Sequence, residues 1–285
     1  MPVIMLMLVI IYAVTAYWLR QKVRQFLYDH QLLKPNYKGQ PIPVGFGLYL
    51  WMTALLFGLL QQAWLHAFGW GADLRELFLY LLLGYSIVFM LGWLDDTIGW
   101  SEPKGLTGHV KAWLIDGTWT TGFLKAAGIG LAAIGASLFL HASWWMMVVH
   151  MLLISLSSNF MNLLDVRPGR AMKGFWLLAA VLLAAACVPG SGKPLMLWMI
   201  LLPFMIGTAF LFSLDVKAQG MLGDAGANLL GFALGCGAAA AAPVWFQLML
   251  LFLLILLHWY AEHRSLTEAI EKIQWLRGID RWGRV

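Results

Sequence analysis

The chain of 285 residues holds only 14 aspartates and glutamates, so where they fall is informative. Asp95 and Asp96 stand side by side at the end of an apolar run, in Gly92-Trp93-Leu94-Asp95-Asp96. Asn159, Asn162 and Asp165 end a second run at spacing i, i+3, i+6, so on a helix they share one side. Asp224 opens a third, in Gly223-Asp224-Ala225-Gly226. Adjacent carboxylates repel unless a cation neutralises them. Hard oxygen donors suit magnesium, which usually binds through one or two carboxylates plus substrate phosphates. A glycine-flanked aspartate at a helix start also offers backbone N–H groups to an anion. Together these residue types suggest phosphoryl chemistry. Helix capping and interhelical hydrogen bonding are the plainer roles for Asn and Asp at such places. Four carboxylates and two amides at one depth of a membrane favour the chemical role.

The apolar runs that position these groups are long. Hydrophobic residues make up 61% of the chain and charged residues 12%, where a soluble domain carries about 25% charged residues. The mean hydropathy is +0.75. These values exclude an ordinary soluble domain and predict an all-α fold, a polytopic transmembrane helix bundle. Spans are expected near 2–19, 45–64, 77–94, 112–139, 144–164, 174–189, 195–213, 227–242 and 244–260. The run 112–139 contains Asp116, Lys125 and the polar stretch Thr118–Thr121, and reads as one broken helix or two pieces, giving nine to ten spans. Residues 1–260 are expected to form the bundle and 261–285 a cytoplasmic amphipathic helix lying at the membrane interface.

Arg20, Lys22 and Arg24 follow the first apolar run, the reverse of a cleavable signal peptide, so that run is expected to be a retained helix with its N-terminus outside. Every Lys and Arg except Arg75, Lys125 and Lys193 then falls in cytoplasmic loops or the tail, as the positive-inside rule requires. The acids come out at the cytoplasmic edge. The positive charge serves topology and places favourable potential where an anionic lipid or nucleotide would dock; no nucleic-acid partner is needed to explain it. Cys187 and Cys236 lie in apolar stretches and read as buried thiols. The apolar bundle fits a monomer or a homodimer.

Four stretches in order resemble the polyprenyl-phosphate N-acetylhexosamine-1-phosphate transferase superfamily, over roughly 34–235. Lys34-Pro35-Asn36-Tyr37-Lys38-Gly39 through Pro43-Val44-Gly45-Phe46-Gly47 resembles its first cytoplasmic loop. Asp95-Asp96, with Gly105-Leu106 and Lys111, resembles its Asp-Asp motif and downstream lysine. Asn159 to Asp165 is similar to its Asn-x-x-Asn-Leu-x-Asp motif, and Met221 to Ala227 to its Gly-Asp-x-Gly segment. The resemblance implies a magnesium-dependent reaction in which a polyprenyl phosphate such as undecaprenyl phosphate attacks the β-phosphorus of a UDP-sugar. UMP is released, at the cytoplasmic face of a bacterial plasma membrane. It implies that Asp95 and Asp96 position or activate the lipid phosphate, that Lys111 holds an anionic phosphate, and that Asn159, Asn162 and Asp165 line the nucleotide and metal site. Asp224 would ligate magnesium, with Asp165 as its companion. Arg167, Arg170 and Lys173 add positive charge to a loop that departs from the family pattern, where they either grip a diphosphate or serve as topology determinants.

The chain departs from the pattern at Gly99, where relatives often carry lysine, and at Pro168, which replaces an acid. His258 and His263 stand apart where relatives have a histidine cluster. These departures keep a non-catalytic relative that binds lipid phosphate as a second reading. A transporter, with ionisable groups near the midplane, is the third, and the acids at the membrane edge oppose it.

Overall fold

A computed structural model of the protein describes residues 2–98, 121–140, 142–189 and 192–284. Lys104, Lys111 and Asp116 lie outside these residues. The described residues are all-α apart from one small hairpin. The helices are α1 (Pro2–Asp29), α2 (Gly47–Ala67), α3 (Ala72–Ile98), α4 (Thr121–Phe139), α5 (Trp144–Leu164), α6 (Arg170–Ala186), α7 (Pro194–Val216), α8 (Gly223–Ala241), α9 (Val244–His263), α10 (Leu266–Lys272) and α11 (Gln274–Arg281). Strands β1 (Leu33–Pro35) and β2 (Pro41–Pro43) pair antiparallel between α1 and α2.

Among the described residues six helices, α2, α3, α4, α5, α7 and α9, are long and apolar enough to cross a bilayer. Their outward faces carry exposed Leu59, Met90, Leu131, Trp144, Phe252 and Trp259, side chains at home in lipid. The protein is therefore a multi-pass membrane bundle.

Helix α8 organises it. Every residue of α8 except Asp224 is buried, and the helix packs against α2, α3, α5 and α7. Its sequence is mostly Gly and Ala, which lets neighbouring backbones approach closely where lipid supplies no hydrophobic force between helices. A helix surrounded in this way holds its first residue at a defined point at the end of the bundle, and that residue neighbours Asp224.

Two expectations need correction. The tail is two short helices, not one, because the chain is extended at Ile273 (φ −91°, ψ 112°). It is also docked on the bundle. Arg170 donates from Nε to Asp280 Oδ1 (2.7 Å), from Nη2 to Asp280 Oδ2 (3.1 Å) and from Nη1 to Thr267 Oγ1 (2.8 Å). Lys173 Nζ donates to the backbone oxygens of Asp280 (2.9 Å) and Trp282 (2.6 Å). The second correction is Cys187, which is exposed; Cys236 is buried.

Burial works against ionisation of Asp280, but hydrogen bonds from Arg170 and Arg284 outweigh it and bring its pKa down to about 2. A depressed carboxylate stabilises the fold above its unfolded pKa of about 4 and loses that contribution as pH falls toward the folded value. Tail amides should therefore keep their protection from hydrogen exchange at pH 5, and lose it progressively between about pH 4 and 2 once intrinsic rates are corrected. Arg170→Met should loosen the tail at neutral pH by about 2 kcal/mol, roughly 30-fold faster exchange. Equal protection at pH 5 and pH 3 would refute the linkage.

Candidate active site

The loop before α8 is held by the first loop of the chain. Met221 N–H donates to Pro43 O (2.8 Å), Gly45 and Phe46 N–H donate to Met221 O (both 3.2 Å), and Gly47 N–H donates to Leu222 O (3.1 Å). Gly223 then turns with φ +75°, a backbone conformation that glycine adopts without penalty. A Cβ there would also meet Asp96 Oδ2 at 2.6 Å.

Asp96 reaches across from α3 to cap α8. Its Oδ1 accepts from Asp224 N–H (2.9 Å) and its Oδ2 from Ala225 N–H (3.0 Å). Two otherwise orphaned donors are satisfied, and a negative charge meets the positive end of the helix. The approach is possible because position 92, one turn earlier on α3, is glycine: a Cβ there would lie 2.5 Å from Ala225 Cα.

Asp95 and Asp224 face each other within hydrogen-bond reach. Lys125, from the second turn of α4, donates its Nζ to Asp95 Oδ2 (2.5 Å) and Asp224 Oδ2 (2.7 Å). Asn162 Nδ2 donates to the same Asp224 oxygen (3.3 Å). Asn159 is exposed one turn earlier on α5.

Asp165 caps the C-terminal end of α5. Burial, and after it the carboxylates of Asp215, Asp224 and Asp96, push its proton affinity well above the ordinary carboxylate range, against a hydrogen bond from the Gly223 N–H. Asp215, at the end of α7, accepts from Gly169 N–H (2.7 Å). Carboxylates from four segments thus share one end of the bundle. Beside them a cavity of about 330 Å³ is lined by Asn36, Tyr37, Asp165, Arg167, Pro168 and Asp215, among others.

The expected site residues divide accordingly. Asp95, Asp96, Asn162, Asp165 and Asp224 converge. Arg167 borders the cavity and pairs with Glu271 at 3.9 Å, both side chains near half exposed (49% and 46%), a pairing worth little. Arg170 points its guanidinium into the tail, where Asp280 and Thr267 occupy it. Lys111 lies outside the described residues.

Two participants were not singled out from the sequence. In the sequence Lys125 marks only a break in the fourth span, although an ionisable residue inside a span is itself a functional signal. Asp215 carried no motif, and its partner Gly169 lies 46 residues away.

The donor set suits a hard divalent ion. Among the described residues no three His, Cys, Asp or Glu side chains converge tightly enough to hold a metal by themselves. Magnesium does not require that, since it commonly takes one or two carboxylates and completes its shell with water and substrate phosphates. Asp95 and Asp224, both within contact of one ammonium, meet this pattern, and the crowding of carboxylates around Asp165 is the imbalance a cation would relieve.

Curated proteins give no match to the chain. A family model for glycosyl transferase family 4 matches residues 78–242, more than half of the chain. The match takes in Asp95, Asp96, the Asn159–Asp165 segment and Asp224, and it leaves out the first loop and the tail. The matched segment shows that the chain belongs to glycosyl transferase family 4, as a membrane-embedded transferase of sugar phosphates to polyprenyl phosphates.

Proposed function

We propose that this protein transfers a sugar-1-phosphate from a UDP-sugar to undecaprenyl phosphate, with magnesium, at the cytoplasmic face of a bacterial plasma membrane, in the synthesis of a cell-wall or surface glycan. A phosphate oxygen of the lipid forms a bond to the β-phosphorus of the donor, and the bond from that phosphorus to the UMP oxygen breaks. The observation that carries the reading is the pair Asp95 and Asp224, delivered by separate helices to one cation at the end of the bundle.

In this reading Asp224, with Asp165 as its companion, would hold the ion, and Asp95, which shares the Lys125 ammonium with Asp224, would border it. Bound magnesium would supply neutralisation of the donor diphosphate. Asp95 would orient the incoming lipid phosphate, and Asp96 holds Asp224 in place through the α8 backbone. Asn162 steadies the Asp224 carboxylate. The cavity bordered by Tyr37, Asp165 and Arg167 is the candidate nucleotide pocket, with an aromatic ring and a guanidinium at its rim. A second, apolar cavity of about 400 Å³ lies between α5, α6, α9 and the tail, lined by Phe160, Leu177, Leu257, Ile270, Ile273 and Leu276. It has the character an isoprenoid chain would need. Catalysis by such a site comes from alignment and charge neutralisation.

The test is turnover. Purified protein is given undecaprenyl phosphate, magnesium and a panel of UDP-sugars, and released UMP is counted. UMP should appear with at least one sugar and stop when magnesium is chelated. Lipid phosphate binding without UMP from any donor would replace this reading with that of a non-catalytic relative.

A further inference from the structure

Lys125 sits within an apolar helix, its side chain 13% exposed. An ammonium at that depth is expensive unless it is paired. It is paired twice, at 2.5 Å with Asp95 from α3 and at 2.7 Å with Asp224 from α8. Neither carboxylate belongs to its own helix, so the lysine cross-links three helices at the centre of the site. Its Nζ occupies the point from which both carboxylates are in contact, the point a divalent ion shared by the two would need.

We propose that Lys125 is a tethered counter-ion that competes with the divalent ion for Asp95 and Asp224. The inference rests on the reading of Asp224 as an ion ligand. Without the ion, the ammonium keeps two repelling carboxylates in register. With it, two cations cannot occupy the same point between the two carboxylates, and the lysine must swing off Asp224. Its flexible four-carbon stem permits the movement. The anionic phosphates that arrive with the ion are the counter-charge the displaced ammonium would meet. Ion binding and phosphate binding thereby become coupled, and Lys125 weakens the ion's hold in the absence of substrate.

The ion can be counted directly, without turnover. Manganese binding to the purified protein is measured from the loss of the free-ion paramagnetic signal. Lys125→Met should bind manganese about ten-fold tighter than wild type, because one nearby like charge is gone. Lys125→Arg should stay within about two-fold of wild type. Manganese should also raise the melting temperature of Lys125→Met more than that of wild type, since a tighter ligand of the folded state stabilises it more. A measurement on the unaltered protein covers the case in which the methionine variant does not fold: magnesium should increase acetylation of Lys125 by an amine-reactive reagent several-fold, read by mass spectrometry. Equal manganese affinity in wild type and Lys125→Met, both lost in Asp224→Asn, would leave the ion site standing and overturn the role of Lys125. So would acetylation that magnesium does not change. No manganese held by wild type or any variant would overturn the ion reading itself, and this inference with it.

Discussion

Asp224→Asn is expected to lower kcat by about 10³-fold while leaving the melting temperature close to wild type. The substitution keeps the shape of the side chain. It keeps an oxygen for Asn162 Nδ2, and Lys125 retains Asp95. What it removes is the negative charge at the second residue of α8, the group proposed to hold the ion. Preorganised charges of this kind are worth about 10²–10³ or more in rate when deleted singly. The structural cost is small because Lys125 keeps Asp95 as a partner and the repulsion between two neighbouring carboxylates is relieved. Turnover of UDP-sugar and a thermal melt on the same preparation check both halves. A variant within ten-fold of wild type in kcat would remove Asp224 from the chemistry. A melt lowered by tens of degrees would mean that the residue holds the bundle together.

Asp96→Asn should behave differently, with rate and stability falling together. Both Asp96 oxygens accept backbone N–H groups, from Asp224 and Ala225. Asparagine offers one acceptor and turns an NH₂ toward the other donor. A buried N–H then loses its partner, at a cost of about 1–3 kcal/mol, and the cap that anchors α8 weakens. Asp224 lies in the capped turn itself, its own N–H bound to Asp96, so its carboxylate shifts with the backbone. A misplacement of about 1 Å can cost about 10²-fold in rate, and that drop in kcat is expected alongside a lower melting temperature. The resemblance gave Asp95 and Asp96 a shared role; the geometry separates them. Asp95 faces the cation and Asp96 faces the helix backbone. Wild-type stability with no turnover in Asp96→Asn would show that Asp96 acts on substrate directly.

Much of the site was legible because polar groups are rare in this chain and costly in lipid. Asp95, Asp96, Asn162, Asp165 and Asp224 stand at the ends of apolar runs, and the structure brings all five to one end of the bundle. The plainer role of aspartate as a helix cap was also correct in part: Asp96 caps, but on another helix. Arg170 was read as a diphosphate grip because it lies in a basic loop near Asp165. Its partner Asp280 is 110 residues away, and no local pattern announces the pair. Lys125 and Asp215 carry no local signal of their partners, since Asp95 and Asp224 come from other helices and Gly169 from a loop 46 residues away.

Composition and hydropathy were enough to establish a helical membrane bundle with acids at the ends of its apolar runs, because lipid admits few backbone solutions and penalises stray charge. They could not say which carboxylate caps, which faces the cation, or which lysine shares it. Those roles depend on distances of a few ångström between residues tens to more than a hundred positions apart. Such distances arise only when α3, α4, α5 and α8 pack, with the small side chains of α8 and Gly92 setting how near the backbones come.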